Sequence, residues 1–234
     1  MARKSQPKRR RADTGRTRNA LASDLPPRQR IVAALMELLA ENPIEQIGLA
    51  AVASHAGVTL SQLREEFSSV IDILGAHVKA IDRIVLDGVD SALADEPARE
   101  RLFEILMRRL EAMTPYRAAI HSLLRSAWRN PGLAFTLNGL AVGAQRWMLT
   151  AAGIDTAGPK GMMRAQGLAL LFSGVLRVFV EDDDPDLSRT MAALDRELTR
   201  GQRWSGFLDD LFAVSACVRR PRRRRRGRAD MAAA

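Results

Sequence analysis

Apolar residues recur at helical spacing along most of the chain, and this pattern predicts an all-α protein. The first apolar face predicts a helix over residues 28–42, which starts after two prolines and is stopped by Asn42-Pro43. A second stripe, with spacings of 3, 4, 3 and 4 residues, predicts a long helix over residues 71–85. Valine and isoleucine do not alternate with polar residues, so strands are not predicted.

Five further helices are predicted in the C-terminal half, over residues 100–113, 115–128, 133–152, 161–180 and 186–212. The last of them is expected to begin at Asp184-Pro185, with Asp184 as the N-cap and Pro185 at the first helical position. The helices over 133–152 and 161–180 are apolar around most of their circumference. Such helices must be buried on several sides, either in a core or against a partner chain.

Residues 47–67 predict two short helices joined by a tight turn. Gly57 lies in the turn, where it can adopt the positive φ that other residues resist. Thr59 caps the second helix, whose Leu63 and Phe67 point back toward the first helix. The apolar face of the first helix consists of Leu49, Val52 and Ala53. Two helices joined in this way form the unit that places its second helix in the DNA major groove, although a helical hairpin within an all-α core has the same pattern.

Three short N-terminal helices, a long connecting helix and an all-helical remainder resemble the TetR family of transcriptional regulators. The resemblance rests on the helix Ile31–Leu39, on Leu49–Ala53, on Ala56-Gly57-Val58-Thr59, and on Leu63, Phe67, Ser69 and Leu74. It implies a helix-turn-helix DNA-binding domain over residues 26–72 and a helical ligand-binding and dimerisation domain over residues 73–217. It also implies a homodimeric repressor that binds double-stranded DNA and is released when an effector binds the C-terminal domain.

By this resemblance, the helix from Thr59 to Phe67 enters the major groove. The implied DNA-contacting residues are Leu49, Thr59, Leu60, Ser61, Gln62, Arg64 and Ser69. The family usually has an aromatic residue in place of Arg64, a basic or polar residue in place of Glu66, and lysine in place of Val70. Because Glu65 and Glu66 repel phosphates, a helix-turn-helix that has lost DNA binding and kept its fold is the alternative.

The last two helices, 161–180 and 186–212, are the dimer interface that the resemblance implies. The interface residues expected on them are Gly167, Leu171, Gly174, Leu194 and Leu198. A monomer that uses these faces for its own core is the alternative.

A ligand pocket is expected among the helices over residues 100–180. Its lining candidates are Trp128, Leu137, Gln145, Trp147, Met148 and Phe172. Gln145, Asn138 and Arg146 are candidate polar anchors, since most pockets are apolar with a few polar groups. This lining favours a small hydrophobic or amphipathic effector, and no cofactor is expected.

The positive charge of the chain is concentrated at its two ends. Residues 1–20 and 218–234 each contain eight Lys or Arg and one Asp, a net charge of +7. Because the whole chain has a formal net charge of +9, residues 21–217 carry −5. The tails, residues 1–25 and 218–234, are expected to be disordered and to bind the nucleic acid backbone without sequence preference. An anionic membrane surface and a merely solubilising role are the alternatives.

No catalytic or metal-binding constellation is predicted, so the chain is not expected to be an enzyme. His55, His77 and His121 fall in separate helices without metal-ligand spacing. The acidic run Glu181–Asp184 lacks the spacing of a calcium loop and is interpreted as a loop with a helix cap. The single cysteine, Cys217, excludes a disulfide within the chain and is typical of a reducing compartment.

A cytoplasmic, nucleoid-associated protein is expected. The basic N-terminus is followed by proline and polar residues instead of the apolar stretch of a signal peptide, although an Arg-rich, acid-poor start is also typical of transit peptides. In the most apolar stretch, 161–180, Arg164 and Arg177 leave only twelve residues between them. Twelve residues are too few to span a bilayer, so no stable membrane insertion is expected.

Residues 178–187 carry a weaker resemblance, to the TetR-fold lipid-binding proteins of ubiquinone biosynthesis. Those proteins place a penultimate helix before an Asp-rich turn and a final helix. The matching residues are Val178-Phe179-Val180-Glu181-Asp182-Asp183-Asp184-Pro185-Asp186-Leu187, then Thr190 and Leu194-Asp195-Arg196. This resemblance implies isoprenoid or membrane binding by helices 161–180 and 186–212, with loss of sequence-specific DNA binding. The arginine tails and the intact Ala-Gly-Val turn argue against it.

Overall fold

The computed structural model describes residues 25–89 and 95–201, and the predicted all-α class is confirmed in that part of the chain. The α-helices are α1 (Pro27–Glu41), α2 (Leu49–Ala56), α3 (Leu60–Glu66), α4 (Val70–Asp87), α5 (Ala98–Met113), α6 (Arg117–Arg129), α7 (Pro131–Ala151), α8 (Gly158–Phe179) and α9 (188–201). Short 3-10 turns at Ile44–Gln46 and Thr114–Tyr116 precede α2 and α6. Both basic tails, Cys217 and the predicted continuation of the last helix to residue 212 lie outside the described residues.

The helices bury their apolar faces in two adjoining cores. The N-terminal core contains the buried apolar residues of α1, α2 and α3, together with Ile73 and Leu74 of α4 and with Ala119 and Leu123 of α6. The body core contains the apolar faces of α5, α8 and α9 and the buried residues of α7. Further along α4, Ile81 belongs to the body core. The long helix α4 therefore runs through both cores, across the boundary predicted at residue 72.

The start of α9 differs from the prediction, in which Asp184 was the N-cap and Pro185 the first helical residue. The Asp184 carboxylate accepts a hydrogen bond from the Asp186 backbone N–H at 3.1 Å, which closes a turn, and it also bonds Ser188, the first residue of the helix. Leu187 then adopts a positive φ of 53°, and the helix begins at residue 188. The sequence correctly indicated a helix start close to the acidic run. Because of the turn, however, α9 begins four residues after Asp184, the predicted cap.

The cap of α9 is Asp182, which is fully buried. Its Oδ2 accepts hydrogen bonds from the Thr190 backbone N–H at 2.8 Å and from the Thr190 hydroxyl at 2.6 Å. Burial opposes ionisation of this carboxyl, but the hydrogen bonds from Thr190 and from the Asp184 backbone, with the charge of Arg189, together lower its pKa. The acidic turn between α8 and α9 is thus a structural cap that stabilises the first turn of the last helix.

Helix α8 is long and apolar enough, by length and composition, to cross a membrane. A core helix of a soluble protein meets the same criterion, and α8 packs a buried stripe into the body core. The members of that stripe are Ala165, Leu168, Phe172, Val175 and Phe179.

Candidate nucleic-acid interface and helical body

The turn between α2 and α3 has the geometry predicted for a helix-turn-helix. Gly57 ends α2 in the left-handed region with φ +62° and ψ +39°. The backbone N–H of Gly57 donates to the Ser54 carbonyl at 3.3 Å, and that of Val58 donates to the Ala53 carbonyl at 3.0 Å. These bonds satisfy the last carbonyls of α2, while Gly57 reverses the chain without the strain that a β-carbon would add.

A reciprocal capping box fixes the start of α3. The Thr59 hydroxyl accepts from the Gln62 backbone N–H at 3.1 Å, and Gln62 Oε1 accepts from the Thr59 backbone N–H at 3.0 Å. The box uses the side-chain oxygens of Thr59 and Gln62, which are both predicted DNA-contacting residues. The amide nitrogen of Gln62 takes no part in the box. The predicted cap at Thr59 is therefore present, and it orients Gln62 at the N-terminal end of α3.

The remaining candidates on α3 lie on its outer face. Leu60 is 58% exposed, and Ser61 and Arg64 are also exposed, whereas Leu63 and Phe67 are buried in the N-terminal core. Residues 60, 61 and 64 share one side of a helix because of its 3.6-residue period. The helix therefore presents an apolar, a hydroxyl and a guanidinium group to its surroundings.

The two other predicted DNA contacts flank α3. Leu49 occupies the first position of α2, and its half-buried side chain packs against the N-terminal core. The Ser69 hydroxyl caps α4 by accepting from the Asp72 backbone N–H at 3.1 Å. Both residues thus contribute to the framework that holds α3 in place.

The acidic end of α3 is partly neutralised by α1. Arg28 Nη1 lies 3.0 Å from Glu66 Oε2 and also donates to the Glu66 carbonyl at 3.3 Å. The Arg28 guanidinium lies 4.5 Å from the centroid of the Phe67 ring, so it also stacks on the core residue that ends α3. Because Glu66 is paired, the remaining charges on the outer part of α3 are Arg64 and Glu65.

A second arginine of α1 reaches the turn itself. Arg30 Nη1 donates to the Gly57 carbonyl at 3.4 Å. Sequence reasoning missed the roles of Arg28 and Arg30, because each partner lies more than 25 residues away and no local pattern marks it. Arg30 therefore links α1 to the turn, and Arg28 links α1 to the C-terminal end of α3.

The helix α6 joins the helix-turn-helix to the body. On one side, the Ser126 hydroxyl donates to Glu45 at 2.9 Å and the Ser122 hydroxyl donates to the Asn42 carbonyl at 3.0 Å. At its start, Arg117 donates to the Asp182 carbonyl, and its guanidinium lies 4.9 Å from the centroid of the Phe179 ring. Helix α6 therefore contacts both the end of α8 and the segment that follows α1.

The six predicted pocket residues separate into three groups. Trp128 and Trp147 are 78% and 59% exposed, so they lie at the surface of this chain, and their place in a pocket stays a prediction. Leu137 is half-buried and packs against the N-terminal core. The predicted residues that the body does bury are Gln145, Met148 and Phe172.

The predicted interface residues divide in the same way. Leu194 and Leu198 are buried in the body core, and Leu171 is half-buried against it. These side chains are therefore mostly covered by this chain itself and expose little surface to a partner chain. Gly167 and Gly174 face outward on α8, and a β-carbon built on either glycine meets nothing within 4 Å. The same outward face also carries the exposed Met163 and Leu170.

A buried polar cluster lies between α4, α5 and α7, and the sequence did not reveal it. Asp82 of α4 forms an ion pair with Arg109 of α5, and both side chains are less than a tenth exposed. His77 of α4 is also buried, with its ring 4.4 Å from that of Tyr116, centroid to centroid, in an edge-on contact. Burial, reinforced by the charge of Arg109, lowers the pKa of His77 to about 4, so this imidazole is neutral at pH 7.

His55, in the last turn of α2, lies at the surface. His55 Nε2 lies 2.7 Å from Glu37 Oε2, and both side chains are well exposed. Within residues 25–89 and 95–201, no group of three His, Cys, Asp or Glu side chains is placed to hold a metal ion.

Solved structures of regulators share this architecture. A TetR transcriptional regulator from Nitrosomonas europaea superposes with a TM-score of 0.59 at 20% sequence identity, over 76% of this chain and 99% of that one. A TetR transcriptional regulator from Rhodococcus sp. RHA1 superposes with a TM-score of 0.52 at 23% identity, over 74% of this chain and 96% of that one. No protein-family model matches the sequence, and no match is found among curated proteins. The chain therefore has the fold of the TetR-family transcriptional regulators, as the residues of its helix-turn-helix predicted.

Proposed function

We propose that this chain is a TetR-like, DNA-binding transcriptional regulator and not an enzyme, a cytoplasmic homodimer that binds double-stranded DNA and responds to a small hydrophobic effector. The observation that carries the proposal is the outer face of α3. It combines Leu60, Ser61 and Arg64 on a helix whose ends are fixed by the capping box and by Arg28. A short rigid helix with an exposed guanidinium suits insertion into the major groove.

Arg64 is the residue proposed to read bases, because a guanidinium can donate two hydrogen bonds to the edge of a guanine. Ser61 and the amide of Gln62 add shorter polar contacts, and Leu60 offers an apolar contact to a thymine methyl group. Glu65 keeps a local negative charge, which weakens phosphate contacts near α3. The basic tails are proposed to supply that missing attraction, since residues 1–20 and 218–234 carry +7 each and basic segments attract the DNA backbone independently of sequence.

The outward face of α8 is the proposed contact between two copies. Gly167 and Gly174 leave open space at the surface, while Met163 and Leu170 expose apolar groups beside them. Small residues permit close approach of helices, and an exposed apolar stripe gains free energy when a partner covers it. Two half-sites would then be read by the two α3 helices of a symmetric dimer.

Two features of the sequence that supported the lipid-binding alternative have structural roles. Its signature in the sequence was the Asp-rich turn, and Asp182 there caps α9 through Thr190. The carboxylate of Glu66, which also favoured lost DNA binding, is paired with Arg28.

The test is a selection of genomic DNA fragments by the full-length protein at near-physiological salt, with an excess of random competitor DNA to suppress binding through the tails. Enrichment of a palindromic sequence is the expected result, and its half-site spacing reports the geometry of the dimer. Arg64→Ala should lose this enrichment, whereas Arg83→Ala, on the exposed side of α4, should keep it. Equal recovery of all fragments by the wild-type protein would refute sequence-specific regulation.

A further inference from the structure

An arginine at the start of α1 is held against the C-terminal end of α3. Arg28 Nη1 lies 3.0 Å from Glu66 Oε2 and donates to the Glu66 carbonyl at 3.3 Å. The Arg28 guanidinium also lies 4.5 Å from the centroid of the Phe67 ring. A carboxylate, a backbone carbonyl and an aromatic face therefore fix one guanidinium in a single place.

This ion pair contributes little to the stability of the fold. The Arg28 and Glu66 side chains are 52% and 37% exposed, and solvent screens pairs with that much exposure. Leu63 and Phe67, which are each only 2% exposed, already anchor α3 in the N-terminal core. The main consequence of the pair is therefore the orientation of a half-exposed cation.

The guanidinium keeps donors for a further partner. Both hydrogen bonds to Glu66 use Nη1, whereas Nη2 and Nε carry the other N–H groups of the planar fork. A fork that is held through one nitrogen offers its remaining donors in a set direction. Phosphate oxygens match the geometry of such a fork.

The pair lies beside the face of α3 that is proposed to enter the major groove. That face carries Leu60, Ser61 and Arg64, and Glu66 lies off it at the end of the helix. A helix with its side chains is about 10–12 Å across and the groove is about 12 Å wide, so phosphates line the flanks of an inserted helix. Residues 1–20, which carry +7, precede the same end of α1 in the sequence.

We infer that Arg28 contacts a DNA phosphate and that Glu66 is its positioning residue, an inference that rests on the proposed binding of DNA. The carboxylate on α3 then favours DNA binding instead of opposing it. Without Glu66, the long Arg28 side chain has to be ordered during binding, and the loss of its rotamer freedom weakens the contact. Because the contact is with the backbone, it acts on every DNA sequence, unlike the proposed base contact of Arg64.

The test measures the affinity of the full-length chain for a mixed-sequence duplex and for the selected palindrome at several salt concentrations. Arg28→Met keeps an apolar stem against Phe67 but removes the fork. It should weaken binding to both duplexes about threefold to tenfold. It should also reduce the slope of log affinity against log salt by about 0.9, the value for one phosphate.

Glu66→Ala is the decisive variant, because simple charge and positioning predict opposite results for it. Positioning predicts binding about twofold to fivefold weaker than that of the wild type, although a negative charge has been removed. Glu65→Ala is the matched control, since it removes the neighbouring exposed carboxylate and should bind at least as tightly as the wild type.

A double variant checks that Glu66 acts through Arg28. When the arginine is absent, Glu66 only repels phosphates, so Arg28→Met/Glu66→Ala should bind more tightly than Arg28→Met alone. The effect of Glu66→Ala thus changes sign between the two backgrounds, which a merely structural pair would not produce. The inference is overturned if Glu66→Ala binds as tightly as the wild type or more tightly, or if Arg28→Met leaves the salt slope unchanged.

Failure of this inference is distinguishable from failure of the proposed function. A phosphate contact is independent of sequence, so the mixed-sequence duplex tests Arg28 whether or not a palindrome is selected. Equal affinity of the wild type for both duplexes would refute sequence-specific regulation, whereas an unchanged salt slope in Arg28→Met would refute the phosphate contact.

Discussion

The two cores of this molecule are built on different principles. The N-terminal core is packed from apolar side chains, and its polar groups serve at the surface as caps and pairs, as in Thr59 and Arg28. Among the described residues, every buried charged side chain belongs to the body, namely Asp82, Arg109 and Asp182. A buried ion pair adds little net stability compared with apolar residues of the same size. The contrast is that the N-terminal core keeps its charged groups at the surface, whereas the body buries charged groups that add little net stability.

The largest expected effect breaks the buried pair in the body. Asp82→Leu leaves Arg109 charged and unpaired, which should lower the free energy of unfolding by about 3–5 kcal/mol. The double variant Asp82→Leu/Arg109→Met should recover most of that loss. Urea unfolding of both variants measures the effect. A single variant as stable as the wild type would show that the pair is not desolvated, and the contrast between the two cores would fail.

A pH titration probes the same core through His77. The folded pKa of about 4 lies below the unfolded value of 6.5, so the unfolded chain binds the extra proton between these values. Stability should be complete above pH 6.5 and fall as the pH decreases toward 4, by on the order of 3 kcal/mol. His77→Gln should flatten this part of the profile, measured as the difference from wild type by thermal unfolding. His55→Gln, on the surface of the helix-turn-helix, serves as the control, and an equal flattening by this variant would contradict the assignment.

A smaller effect is expected in the helix-turn-helix turn. Gly57→Ala places a β-carbon at φ +62°, which should cost about 1–2 kcal/mol. Gly48→Ala is the matched control, because Gly48 has a negative φ of −91° and open space for a β-carbon. Denaturant midpoints of the two variants compare the sites directly. Similar stabilities would mean that the turn is not held in the left-handed conformation.

The smallest effect on the stability of the single chain is expected for a substitution on the outward face of α8. The same substitution should have the largest effect on dimer formation. Gly167→Arg fills open space on α8 and replaces a helical glycine, so the single chain should be as stable or slightly more stable. An arginine on the proposed contact between copies should weaken the dimer, which sedimentation velocity measures. Gly139→Arg, on the outward face of α7 with equally open space, is the control. A Gly167→Arg protein that remains fully dimeric would exclude this face of α8 as the interface.

The part of the fold that sequence predicted is the part set by neighbouring residues. Gly57 and Thr59 act within a few residues of their own positions, so the turn and the Thr59 cap were recognisable from residue type and spacing. The predicted cap at Asp184 failed for a related reason. Four acidic residues in a row offer several possible caps, and in the structure Asp182 bonds the Thr190 backbone N–H while Asp184 bonds Ser188.

The features that sequence did not reveal depend on distant parts of the chain. The partners in the pair Arg28–Glu66 are 38 residues apart, and those in the pair Asp82–Arg109 are 27 apart. The exposure of Trp128, a candidate for the pocket lining, is also set by the tertiary arrangement, because packing decides which side of a helix other helices cover. Pairings and coverage of this kind follow from the tertiary arrangement and leave no periodic signal.

The most direct test of the account is a DNA-binding titration with wild type and Arg64→Ala, on the selected palindrome and on a scrambled sequence, at several salt concentrations. If α3 reads bases and the tails hold the backbone, Arg64→Ala should lose about 1–3 kcal/mol of affinity for the palindrome, roughly 5- to 150-fold. Binding to the scrambled sequence, with its steep dependence on salt, should stay nearly unchanged. An equal loss of affinity on both sequences would contradict the account, because Arg64 would then contact only phosphates and α3 would not select a site.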